Sequence, residues 1–99
     1  MDTSHSFIPQ ALDAAASALA ALADGEGLRA DDLIAGAIAL EWIAGRCSLS
    51  HSRFTGISAA VRGLRALATR PSVAESQEGR RAAGSFAAIV RETQTHLFN

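Results

Sequence analysis

Leu33 to Ala44 reads LIAGAIALEWIA, with one acid, Glu41, among apolar or small residues. Alanine and glycine are poor strand formers and the run is long for a strand in a small domain, whereas Ala, Leu and Glu favour helix. At helical spacing Leu33, Ala37, Leu40 and Ala44 form one seam, Ile34 and Ile38 a second, and Ala35, Ala39 and Trp42 a third, so apolar residues reach almost every face. A surface helix keeps a polar side. This one is therefore expected to be the central helix, enclosed by its own domain or covered by another subunit. A membrane span needs about 20 apolar residues; this run is shorter and carries Glu41, so no membrane role is expected.

Upstream, Asp24-Gly25-Glu26-Gly27 is the clearest boundary in the chain, with Gly25 suited to a left-handed helix end. Before it, Ile8, Leu12, Ala15, Leu19 and Leu22 recur at spacings of four, three, four and three, which predicts a helix over about 8–23 with Pro9 in its first turn. The polar residues 1–6 are read as a frayed end with His5 solvated. The central helix itself is predicted over about 29–46, where Asp31 and Asp32 cap it or complement its dipole. Gly36 and Gly45 sit where alanine would favour helix, and they suggest a close crossing by another helix.

Downstream, the serine-rich Cys47 to Ser52 reads as a loop with Leu49 tucked inward. A third helix over about 53–70 places Phe54, Ile57, Val61, Leu64 and Ala68 on an inward seam, with Ser58, Arg62, Arg65 and Thr69 opposite, and Pro71 stops it. Ser72 and Glu75 match a capping box, so a fourth helix is predicted over about 72–97. Its first part, Glu75 to Arg81, has no apolar residue and contains Gly79, which leaves a loop with a later start near Arg80 as the alternative. Ala83, Phe86, Val90, Thr93 and Leu97 form its inward seam. The expected fold is all-α, a small four-helix bundle in a single domain spanning residues 1–99.

Of the apolar residues, 22 are alanine and only 24 are Ile, Leu, Val, Phe or Trp, so the core is thin. A thin core and alanine faces favour extra burial through self-association, and a homodimer is expected, with Leu33, Ala37, Leu40, Trp42 and Ala44 as core or dimer contacts. The formal net charge is −1, but residues 1–50 carry seven acids and two arginines while residues 51–99 carry three acids and seven arginines. That asymmetry suits self-pairing, or an acidic partner on the C-terminal half. All nine basic residues are arginine, the usage of a GC-rich bacterial or phage genome, and the lone Cys47 with Asp2 at the start points to a reducing cytoplasm.

Glu41 is expected to pair with an arginine of another helix or to leave the bundle at an edge, in preference to acid or base chemistry. Cys47 and His51 stand four apart, but two ligands make no zinc site and no third residue has a fixed spacing to them. No metal, no cofactor and no catalytic residue is expected. Trp42 reads as core, at an edge where its indole N–H finds an acceptor. Arg53, Arg62, Arg65 and Arg70, with Arg80 and Arg81, form the candidate surface for an acidic partner or for phosphates. A helix-turn-helix does not fit, because the second connection is about seven residues long and helix 3 has no Asn or Gln to read adenine. The reading is a homodimeric protein-protein interaction module, an adaptor, regulator or inhibitor; the alternative is a nucleic-acid-associated regulator using the arginines of helix 3.

Overall fold

The computed structural model describes the backbone of residues 3–98 and the side chains of residues 7–98. It contains α1 (Thr3–Ala23), α2 (Ala30–Arg46), α3 (His51–Thr69), a single turn α4 (Pro71–Ala74) and α5 (Gln77–Phe98). The fold is an all-α bundle. Four long helices form a ring in which α1 packs on α2 and α5, and α3 packs on α2 and α5. Asp13 faces Arg91 and Gly25 faces Arg80, so α1 and α5 run antiparallel. The radius of gyration of 12.7 Å is that of one folded domain of about 100 residues, for which about 13 Å is usual.

Helix α1 starts at Thr3 instead of Ile8, so Pro9 lies inside it and not in its first turn. The expectations of a solvated His5 and of a frayed Met1 and Asp2 fall outside the described residues. All five residues of the predicted α1 seam are buried, and Ala11, Ala16 and Ala18 are buried beside them. The helix ends in a Schellman arrangement: Gly25 has φ +82°, its N–H donates to the Leu22 carbonyl, and the Glu26 N–H donates to the Ala21 carbonyl at 2.8 Å.

Helix α2 is not enclosed on every side. Leu33, Ala37, Ala39, Leu40 and Ile43 have no exposed surface, whereas Ile38 is 47% exposed. Its N-cap is Arg29, which makes no side-chain cap; Asp31 and Asp32 stand in the first turn, where they complement the dipole without capping it. The two glycines of α2 differ. A methyl group on Gly36 would overlap the Ala15 Cβ and come within 3.3 Å of Leu64 Cδ2, so here α1, α2 and α3 meet. Nothing lies within 4 Å of the corresponding point at Gly45, so the close crossing expected there is absent within the chain.

Ser50 caps α3, its Oγ accepting from the Arg53 N–H at 3.3 Å. The helix is rotated from the predicted seam: Ile57, Ala60, Leu64 and Leu67 are buried, while Phe54 is 47% exposed and Val61 only half-buried. Both sets have helical spacing, and the position of α2 and α5 selects between them. Leu49 packs against the core as expected.

The predicted fourth helix over 72–97 is interrupted. Pro71 opens α4 without a side-chain cap, and the serine that caps α5 is Ser76, not Ser72: its Oγ accepts from the Gly79 N–H at 3.1 Å and donates to the Val73 carbonyl at 2.5 Å. Gly79 is buried under the end of α4, where an added methyl would overlap the Val73 carbonyl oxygen and lie 2.5 Å from that of Ala74. The elbow between α4 and α5 thus depends on a missing side chain.

Two substitutions check this packing. Gly36→Ala gains intrinsic helix propensity of about 1 kcal/mol, yet it must push apart two helices at a rigid Cβ. Overpacking of this kind costs about 1–3 kcal/mol, so a net loss in urea unfolding is expected. Gly79→Ala meets backbone and not a flexible side chain, and a loss of about 1–3 kcal/mol is expected there as well. Wild-type stability in either variant would contradict the packing described.

Candidate functional site

The outward side of α2 carries Ile38, Glu41, Trp42 and Gly45 at spacings of three, one and three, so they share one face. Two shallow grooves run beside Glu41. One is lined by Ile38, Trp42, Gly45 and Arg46; the other, between α2 and α3, by Ala44, Gly45, Phe54, Ser58 and Val61. Trp42 is half-buried at the bundle edge and not in the core proper, with the Arg46 guanidinium 5.4 Å from its ring centroid. Glu41 accepts a hydrogen bond from Arg65 of α3, which closes the boundary between the grooves with an ion pair. Both partners are about half-exposed, so the pair contributes little to stability and more to holding the two helices in register.

Leu33, Ala37 and Leu40 are buried within one chain and are not open to a second subunit, and Ala44 is half-buried at the groove between α2 and α3. The residues that sequence reasoning places inward but the fold leaves outward are Ile38 and Phe54. Phe54 is singled out by testing the Ile57, Ala60, Leu64 and Leu67 seam, which excludes it; for Ile38 no sequence signal distinguishes it from Ile34.

The six candidate arginines do not form one surface. Arg53 and Arg62 are nine residues apart, about two and a half turns, and so lie on opposite sides of α3. Arg53 leans to α5, 3.8 Å from the Glu92 carboxylate, and Arg65 leans to α2. Arg70 stands at the junction of α3 and α4. Arg80 and Arg81 project from the first turns of α5, with the Arg80 guanidinium beside the Gly25 turn. Arg62, Arg70, Arg80 and Arg81 are exposed and make no ion pair among the described residues.

Cys47 ends α2 and His51 begins α3, on separate elements. Among the described residues no group of three or more His, Cys, Asp and Glu side chains is placed to hold a metal ion. Among those residues, too, no helix is long and apolar enough to cross a membrane. Comparison with protein-family models, with curated proteins and with solved structures finds no match.

An exposed ion pair of this kind is worth up to about 1 kcal/mol. Arg65→Ala is therefore expected to lower stability by less than about 1 kcal/mol in denaturant unfolding, while iodide quenching of Trp42 changes little. A large loss would place Glu41 in a more buried setting than its half-exposed position.

Proposed function

We propose that this chain is a small protein-protein interaction module, working as an adaptor, regulator or inhibitor, and that it acts as a homodimer. The observation that carries the reading is the outward strip of α2 with Phe54 of α3 beside it. Ile38 and Phe54 are each 47% exposed; Ile38 shares one groove with the half-buried Trp42, and Phe54 lines the groove on the other side of Glu41. Apolar side chains grouped in this way, bordered by charged residues, mark association surfaces on small domains, and tryptophan is enriched among the residues that dominate binding energy. A cytoplasmic setting goes with this reading and with the single cysteine.

Nucleic-acid association is the second reading, supported by the four exposed arginines that lack an ion-pair partner among the described residues. It is the weaker of the two. Arg53 and Arg65 are engaged by carboxylates of neighbouring helices, and the remaining arginines are spread over several sides of the bundle.

Light scattering behind size exclusion, at low and high salt with absorbance at nucleic-acid and protein wavelengths, separates the two. The expected result is a salt-resistant dimer free of nucleic acid. Ile38→Asp is expected to give a folded monomer, because about half of the Ile38 residue already faces water within one chain; Leu40→Asp, at a position with no exposure, is expected to unfold the chain. A wild-type monomer at roughly 100-micromolar concentration, far above a typical tight dissociation constant, would overturn the self-association reading. Salt-sensitive retention on nucleic acid that Arg62→Ala with Arg65→Ala weakens would favour the second.

A further inference from the structure

We infer that the cleft where α3, α4 and α5 meet binds a free α-amino acid with an apolar side chain, its carboxylate on Arg70 and its ammonium group on Glu78. The site lies away from the strip of α2. Its α3 lining, Gly63, Ala66, Leu67 and Arg70, is on the opposite side of that helix from Phe54, Ser58 and Val61, so the inference stands apart from the association reading. The charges set this cleft apart from the others. Beside α2, Glu41 is held by Arg65, and in the smaller cleft of about 230 Å³ between the start of α3 and the end of α5, Arg53 stands 3.8 Å from Glu92. Arg70 and Glu78 line one cleft, yet neither is in an ion pair among the described residues. Their charged ends are thus more than 4.0 Å apart, with room for a group between them.

Each charge suits its own helix end. Arg70 closes α3, where the dipole is negative, and Glu78 stands in the first turn of α5, where it is positive, so each is favoured at its place without the other. The surface between them is apolar. Leu67 is 5% exposed, the Phe86 ring lies against Gly63, where a Cβ would overlap it, and Val73 of α4 stands 49% exposed at the lip. The cleft has a volume of about 410 Å³, within the ~300–1,000 Å³ of small-molecule sites, which combine an apolar lining with a few polar groups. An α-amino acid carries two opposite charges on one carbon and a side chain pointing away from both, which matches this arrangement. A simple carboxylate would answer Arg70 and leave Glu78 facing a like charge; a simple amine would do the reverse. The elbow holds the walls in place before any ligand arrives. Ser76 donates to the Val73 carbonyl and accepts from the Gly79 N–H, which ties the lip of the cleft to the turn that carries Glu78.

The test is an NMR titration of the isotope-labelled full chain with L-leucine and L-phenylalanine, and with glycine, N-acetyl-L-phenylalanine and L-phenylalaninamide. L-leucine or L-phenylalanine is expected to shift the amides of the cleft residues saturably. Glycine lacks the apolar group, the N-acetyl derivative the ammonium and the amide the carboxylate; each is expected to bind about fivefold more weakly or worse, fivefold being the effect of one partly exposed charge pair. Arg70 and Glu78 are both exposed, so Arg70→Ala and Glu78→Gln are expected to keep the fold, with amide shifts unchanged away from the cleft. In Arg70→Ala the preference for phenylalanine over its amide is expected to vanish, and in Glu78→Gln the preference over the N-acetyl derivative. No saturable shift with either amino acid up to about 10 mM, a concentration that fills even a millimolar site, overturns the inference. So do shifts confined to residues outside the cleft, a derivative that binds as tightly as phenylalanine, and preferences that survive in the two variants.

Discussion

The fold depends on the contact of Gly36 with Ala15. Where α1 crosses α2 the two backbones approach so closely that one position can carry only a hydrogen and the other only a methyl group, with Leu64 of α3 closing over the same point. Alanine-rich faces make such an approach possible along the crossing: Ala11, Ala15 and Ala18 of α1 and Ala37 and Ala39 of α2 are buried. Helices held this near to one another gain dispersion contact from many small groups in place of a few large ones. A core with few large side chains is stable on those terms only if the crossing stays tight.

The same constraint explains what lies outside. An interior built on alanine and glycine has little volume for bulky residues, and several of them are displaced to the rim. Eight large side chains, including Leu12, Leu19, Leu33, Leu40 and Leu64, fill the spaces between the small ones. Ile38 and Phe54 find no such space and face solvent, while Trp42 and Val61 are partly covered. The face proposed for association is thus a consequence of how tightly the interior closes. Gly36 and Gly45, nine residues apart in one helix, then play different parts: one admits a neighbour from the same chain, and the other is left open.

Much of this architecture is legible in the residues. The Gly25 turn, the α1 seam, the limits of α2 and the Pro71 stop all follow from local chemistry that needs no tertiary context. Three features do not. Ser72 and Glu75 satisfy the capping-box pattern, yet Ser76 caps α5, with a glycine at the third helical position that carries no side chain to signal the motif. Two seams of α3 fit the helical period, and only the neighbouring helices choose the one that faces inward. Composition suggests burial of α2 on all sides but is blind to the number of neighbours a helix has; two helices pack on it and its outer strip remains. The separation of Arg53 from Arg62, by contrast, follows from their nine-residue spacing alone.

The central claim, that the outer strip of α2 is a surface for association, is tested most directly by the emission of Trp42, the single tryptophan of the chain. Fluorescence and iodide quenching are followed while the wild-type protein is diluted under conditions that keep it helical. Emission is expected to move to longer wavelength, and quenching to rise, as the protein is diluted, because the half-buried ring loses its cover on dissociation. Emission and quenching that stay constant across a concentration range in which the protein demonstrably changes its association state would contradict that claim.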